Sequence, residues 1–377
     1  MIDLKRGEPD KSLIPFDIIE KATIESLKER KPEMYIYGGD HIRFRGHVLE
    51  FIKKNYSFPN ETSLSTSNIF ITNGISSCLD QLCVMYTKPD DTIIVEMPTY
   101  LYALNIFKDH HLNIVTCETD SNGLIIDEDF IARTKPKLIY IIPTFQNPSG
   151  FLMDNERRNH LVELSMKYKF LILSDEVYHL LNYGDSHPYS FMIYHNVETV
   201  ITLNSFSKII TPGIRLGWTV ASELKIKAIS SFGLMQSSGG ANPFSSAIVD
   251  KILVNDWLQT YIRDTLCIEY SKRMICLYNE LNEKFGENIR KDPCPTGGYF
   301  LWLRFNDETI DCEELLTYSQ KMGLNFHHGK VFTCGNENKK KLACCLRLSI
   351  AIATCDDIKI ACERLKYAYE EYINERK

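Results

Sequence analysis

The sequence predicts an α/β fold: a mostly parallel sheet flanked by helices, followed by a smaller α+β unit. Three observations predict it. Short apolar runs of strand length recur at 69–71, 92–96, 138–142, 170–173, 200–203 and 216–221. Helical patterns lie between them, such as 75–86, where Ile75, Leu79 and Leu82 share one face, and the stretch to about 167 that Asp154 caps. Most of these runs end in a segment that carries polar or glycine residues, and doubly wound sheets bind their ligands at the carboxyl ends of strands.

The composition sets the limits. With 377 residues, 44% of them hydrophobic, the chain has room for one large domain and a second, smaller one. A net charge of -6 gives no reason to expect a nucleic-acid partner. No apolar run approaches the ~18 residues of a membrane span. The first ten residues are polar and read as neither a secretory signal nor a transit peptide. Twelve cysteines without a Cys-x-x-Cys pair read as reduced thiols of a cytoplasmic protein. His110-His111 and His327-His328 lack the spacing of a helical metal site, so no metal is expected.

In chain order, Gly7-Glu8-Pro9-Asp10 precedes a helical pattern over 15–27. Tyr35, Tyr37, Gly38, Gly39 and Arg45 then lead into an amphipathic helix. After the first strand, Thr72-Asn73-Gly74 turns into a helix whose first amides have no partner. The amides of Gly74, Ile75 and Ser76 are therefore candidates for holding an anion, though an ordinary strand–helix turn would look the same. The second strand ends in Pro98-Thr99-Tyr100, and an aromatic there can stack on a flat ring, with Tyr102 as a substitute. The third ends in Gln146-Asn147-Pro148-Ser149-Gly150, a turn-forming stretch. The fourth ends in Ser174-Asp175-Glu176-Val177-Tyr178, and an acid directly after four apolar residues is costly unless it faces a cation.

The fifth and sixth strands flank Ser205-Phe206-Ser207-Lys208 and Pro212-Gly213-Ile214-Arg215. Desolvation lowers a lysine's pKa and makes it nucleophilic towards aldehydes. Ser205, Ser207 and Arg215 suit a phosphate. A nucleophilic lysine beside an anion-binding loop is what pyridoxal phosphate requires. Residues 223–290 read as helical with a break at 239–243, and a long helix runs to about 285. The α+β unit over 291–377 holds a turn and strand at 295–303, an alternating strand at 345–351, and a final helix at 356–372. Arg347 lies on the second of these strands, either as a bidentate carboxylate site or as a sheet-edge cation.

Together these stretches resemble class I/II aminotransferases, the fold-type I pyridoxal-phosphate enzymes, from about residue 7 to 365. The resemblance implies a seven-stranded sheet in a large domain at 36–285, an arm and the start of the small domain at 1–35, and a small domain at 286–377. It implies Lys208 as the Schiff-base lysine and general base, Asp175 on the ring nitrogen, and Tyr178 with Asn147 at the phenolic oxygen. It further implies Tyr100 over the ring, Gly74, Ile75, Ser76, Ser205, Ser207 and Arg215 around the phosphate, and Arg347, Asn147 and Gly38 at the substrate. A homodimer is implied too, with Tyr35 or Tyr37 reaching the partner's phosphate. The implied reaction moves an amino group from an L-amino acid to a 2-oxo acid such as 2-oxoglutarate. The N-terminal segment looks most like the branch acting on aromatic amino acids, kynurenine and 2-aminoadipate. The alternative is a carbon–sulfur β-lyase on the same scaffold; a non-catalytic effector-binding domain is the third reading. The chain departs from the family at Gly38-Gly39-Asp40, at His328 where proline is usual, and at Ser245-Ser246 where glutamine is frequent.

Overall fold

Aliphatic and β-branched residues run together in the central strands and are buried on both faces, as in Leu138–Ile141 and Leu171–Asp175. Such strands are stable only under helices on both sides of the sheet. The computed structural model describes residues 1–29, 33–36, 41–59, 62–185, 188–237 and 240–376. Its strands are β1 (Ile2–Asp3), β2 (Ile69–Thr72), β3 (Thr92–Met97), β4 (Asn113–Asp120), β5 (Gly123–Leu124), β6 (Leu138–Ile141), β7 (Leu171–Asp175), β8 (Val200–Ser205), β9 (Gly217–Ala221), β10 (Phe300–Arg304), β11 (Leu324–Asn325), β12 (His327–His328) and β13 (Cys345–Ser349).

Eight of these strands make the large sheet, in the order β2-β9-β8-β7-β6-β3-β4-β5. Strands β8, β7, β6, β3 and β4 are parallel neighbours, whereas β9 runs antiparallel to both β8 and β2. The eighth strand is the two-residue β5, which turns back on β4 at the edge. The expected strands all form, within a residue or two of their expected ends. Strand β4 was not expected. Its residues Thr116, Glu118 and Asp120 break the apolar run, because it lies near the sheet edge and is half-exposed.

The expected helices form as well. Ile75–Tyr86 follows β2, and Asp154 caps Asn155–Tyr168 by accepting the Arg157 amide at 2.7 Å. The long helix Cys267–Phe285 leads to a second sheet, β10-β13-β12, and to the closing helix Cys355–Glu375. Strand β1 crosses back from the amino terminus to pair with β11, Ile2 opposite Leu324. Among the described residues, no helix is long and apolar enough to cross a membrane.

The parallel strands end on one rim. Antiparallel β9 begins at that same rim, so the turn from β8 into β9 stays there. Phe206 anchors this turn from below. Its ring is fully buried, 4.7 Å from Trp218 and 6.5 Å from both Phe44 and Phe51.

Candidate active site

A cavity of about 560 Å³ lies on the strand-end rim, between the large sheet, the amino-terminal strand and the small sheet. Ile75, Ser76, Tyr100, Asn147, Asp175, Tyr178, Ser205, Ser207, Lys208, Arg215 and Arg347 all line it. The large sheet's topology brings the strand-end residues between Ile75 and Arg215 to one rim, and Arg347 joins them from the small antiparallel sheet.

Lys208 sits in the one-turn helix Phe206–Lys208, directly after β8. Its ammonium donates to the Gly7 carbonyl at 2.6 Å, and Tyr299 donates to its backbone carbonyl at 3.0 Å. Burial lowers its pKa to about 8, against the pull of Asp175 and Glu8 and with the help of Arg347 and Arg215. At neutral pH a usable fraction of the amine is therefore free of its proton. Asp175 ends β7, buried at 4% exposure. Burial raises its carboxyl to about 6, opposed by a hydrogen bond from Tyr140 at 2.8 Å, by the Val177 amide at 3.2 Å and by Lys208. Glu176 turns away from the cavity. It accepts from Ser174, from Ser190 and from the Phe191 amide.

Gly74 is the cap of the helix Ile75–Tyr86, with φ 86°. A side chain there would be strained and would meet the Arg215 guanidinium at 3.0 Å. Arg215 itself is exposed and, among the described residues, donates to the carbonyls of Pro212 (3.1 Å) and Asn73 (3.5 Å) alone. Among the described residues it has no carboxylate partner. Ser205 donates to Ser207 across 2.8 Å beside it. A helix start, two hydroxyls and a guanidinium lacking a counter-ion form an anion cradle.

Arg347 lies on β13, the central strand of the small sheet, so it is not a sheet-edge cation. It is buried at 3% exposure, sandwiched by Phe300 at 4.1 Å and Phe332 at 5.0 Å. It donates to Asn147 at 2.8 Å and to the Lys5 carbonyl, and its Nε has no partner among the described residues. Burial lowers its pKa to about 10. A buried guanidinium without a carboxylate is costly, and an incoming carboxylate would relieve it. The side chains therefore fit pyridoxal phosphate and an amino acid: an amine, a carboxylate, two cations with no carboxylate partner among the described residues, and the Tyr100 ring on the same cavity wall.

Tyr100 and Tyr102 stand edge to face, 5.6 Å apart, both on the cavity wall. Tyr35 is exposed, 6.4 Å from Phe244, and does not line the cavity. Tyr37 and Gly38 lie outside the described residues. Sequence reasoning missed five contributors. Tyr140 was hidden in an apolar strand, where a tyrosine's need for a partner was the available signal. Glu96 and Gln146 were missed as a pair. Buried Glu96 accepts from the Ile142 amide at 2.9 Å and from Gln146 at 3.2 Å, while Gln146 donates to the Pro98 carbonyl at 2.7 Å. This ties the Tyr100 loop to the Asn147 loop. The carbonyls of Lys5 and Gly7, on the strap of chain that follows β1 across the cavity, carried no side-chain signal at all.

The family model for aminotransferase class I and II matches residues 1–365. Aromatic-amino-acid aminotransferase 1 of Thermococcus litoralis is 28% identical, over 98% of this chain and 88% of that protein. The HTH-type transcriptional regulator NorG of Staphylococcus aureus is 29% identical, over 98% of this chain and 80% of that protein. Among solved structures, Pyrococcus horikoshii kynurenine aminotransferase, in complex with PMP, superposes with a TM-score of 0.88 at 27% identity, covering 99% of this chain and 91% of that one.

Proposed function

The chain belongs to the class I and II aminotransferase family, and from that premise we propose how its own residues carry the reaction. It is a pyridoxal-phosphate-dependent aminotransferase acting on amino acids and 2-oxo acids. The transaminase relatives do not favour the β-lyase alternative.

The observation that supports the assignment of roles is that Lys208, Asp175 and Arg347 open into one cavity. Pyridoxal phosphate, when bound, supplies an aldehyde that condenses with amines and a ring that accepts the electron pair left by a departing α-proton. Lys208 would hold it covalently, and its amine, when free, would take the α-proton of the bound amino acid. Asp175 keeps a proton on the ring nitrogen. Asn147 and Tyr178 hold the phenolic oxygen, and Tyr100 covers the ring face. The amides of Gly74, Ile75 and Ser76, the hydroxyls of Ser205 and Ser207, and Arg215 bind the phosphate. Arg347 binds the substrate carboxylate, and Phe300 and Phe332 exclude water from that pair.

The preferred donors in this reading are aromatic amino acids or kynurenine, the substrates named for two relatives, with 2-oxoglutarate as acceptor. We divide the chain at 36–285 and 286–377, since the large sheet lies within 69–221 and the small one within 300–349. The active unit is a homodimer in which Tyr35 or Tyr37 reaches the partner's phosphate. The exposed ring of Tyr35 outside its own cavity supports this. Twelve free thiols support a reducing, cytoplasmic setting.

The test is an absorbance titration of purified protein with single amino acids, beside Lys208→Ala. A visible band that donors remove and a 2-oxo acid restores is the expected result. A band that persists while pyruvate and ammonia accumulate would overturn it in favour of elimination.

A further inference from the structure

Asp175 does not stand alone at the end of β7. Strands β6 and β7 are parallel neighbours, with Tyr140 opposite Leu173. Residues two apart on a strand share a face. Asp175 is therefore on Leu173's face, one step further towards the rim. The Tyr140 ring leans along the strand and its hydroxyl donates to Asp175 Oδ2 at 2.8 Å.

The ring has no freedom to leave. Tyr140 is fully buried, held between β3 and β7 and packed edge-on against Phe107 at 5.5 Å. Among the described residues, one other hydrogen bond holds the carboxylate, from the Val177 amide to Oδ1. A hydrogen bond to a buried charge is among the strongest a protein makes. A donor fixed in the sheet also cannot reorient when the charge changes.

We propose that Tyr140 is a positioning residue that sets the basicity of Asp175, and through it how firmly the ring nitrogen keeps its proton. This rests on the reading of Asp175 as the partner of that nitrogen. The tyrosine hydroxyl stabilises the ionised carboxylate, so Asp175 stays charged and available to the ring at neutral pH. Without the hydroxyl the carboxyl becomes more basic and holds a proton of its own. Other charged or titratable groups face the same carboxylate. Glu96 and Tyr100 approach from β3 and the turn after it, Glu176 and Tyr178 from its own segment, and Lys208 from the turn after β8. Among them only Tyr140 donates a side-chain hydrogen bond to it.

The experiment compares three holoenzymes with the native one: Tyr140→Phe, 3-fluorotyrosine at position 140, and Asp175→Asn. Two readouts are taken. One is the pH dependence of the bound cofactor's absorbance and of kcat/KM. The other is the cofactor dissociation constant. Phe deletes one oxygen and keeps the packing. The fluorinated ring is a stronger acid and a stronger donor, and it covers the case in which Tyr140→Phe does not fold. The expected result is an acid limb moved up by about one pH unit in Tyr140→Phe, a tenfold change in proton affinity, with weaker cofactor binding. In the fluorotyrosine protein the limb moves down. An acid limb that stays where it is in both, whatever the rate, would overturn the proposal and leave Tyr140 a packing residue. If Asp175→Asn leaves the spectrum and the cofactor affinity unchanged, the reading of Asp175 fails instead, and this inference fails with it.

Discussion

The two ends of the cavity are built differently. At the lysine end, Asp175, Lys208 and Arg215 stand at or within a few residues of the ends of β7, β8 and β9, over a core of fully buried side chains. At the arginine end, Arg347 is positioned by aromatic faces, by Asn147 from the loop after β6, and by the Lys5 carbonyl of the amino-terminal segment, which is itself held by β1 and by the backbone bonds of Leu4. The lysine end inherits its geometry from the buried central strands of the large sheet. The arginine end depends on contacts among three separate stretches of chain. The cofactor end therefore behaves as a fixed platform, and the substrate end as the adjustable one.

The sharpest contrast comes from removing each end's defining charge. Lys208→Ala should lower single-turnover transamination by about 10⁴-fold, since nucleophile and base are lost together. Stopped-flow absorbance checks this. A fall under tenfold would leave the lysine end without its assigned role. Arg347→Lys keeps the charge but loses the planar fork. It should reduce kcat/KM about 10- to 100-fold, with the cofactor dissociation constant unchanged.

Stability separates the ends more directly. Phe206→Ala removes the anchor beneath the lysine turn and should cost about 3–5 kcal/mol in urea unfolding. At the other end, Gly7→Val places a side chain where a Cβ already meets the Phe300 ring at 2.7 Å. It should push the strap outward and raise KM severalfold, with the unfolding midpoint nearly unchanged. Equal destabilisation by both variants would erase the distinction.

The smallest effect concerns pH. The Lys208 amine titrates near 8 because burial disfavours its charged form. Only the neutral amine attacks an aldehyde, so cofactor capture by the apoprotein should speed up as pH rises to about 8 and level off above it. A rate independent of pH between 6 and 9 would mean that the amine is already neutral throughout.

The lysine end was the more legible in the sequence, for the same physical reason that makes it rigid. A residue at the end of a buried strand follows an apolar run and precedes a turn, and both are local signals. Gly74, Asp175, Lys208 and Arg215 stand beside such signals, whereas the roles of Asn147, Asp175 and Tyr178 came from the resemblance to the family. Arg347 was found by its alternating strand, but the sequence left open whether it was a sheet-edge cation. Only the order β10-β13-β12 makes its strand central.

By itself the sequence determined the buried strands of the large sheet other than β4, most of the helices, and which polar residues stand at strand ends, because burial patterns and turn chemistry act over a few neighbouring residues. Tertiary structure alone decided what those residues meet. Tyr140 reaches Asp175 across a strand pair, Gln146 joins two loops through Glu96, and the carbonyls of Lys5 and Gly7 take hydrogen bonds from Arg347 and Lys208. Partners up to 342 positions apart leave no local pattern. A backbone carbonyl, which every residue carries, leaves none either.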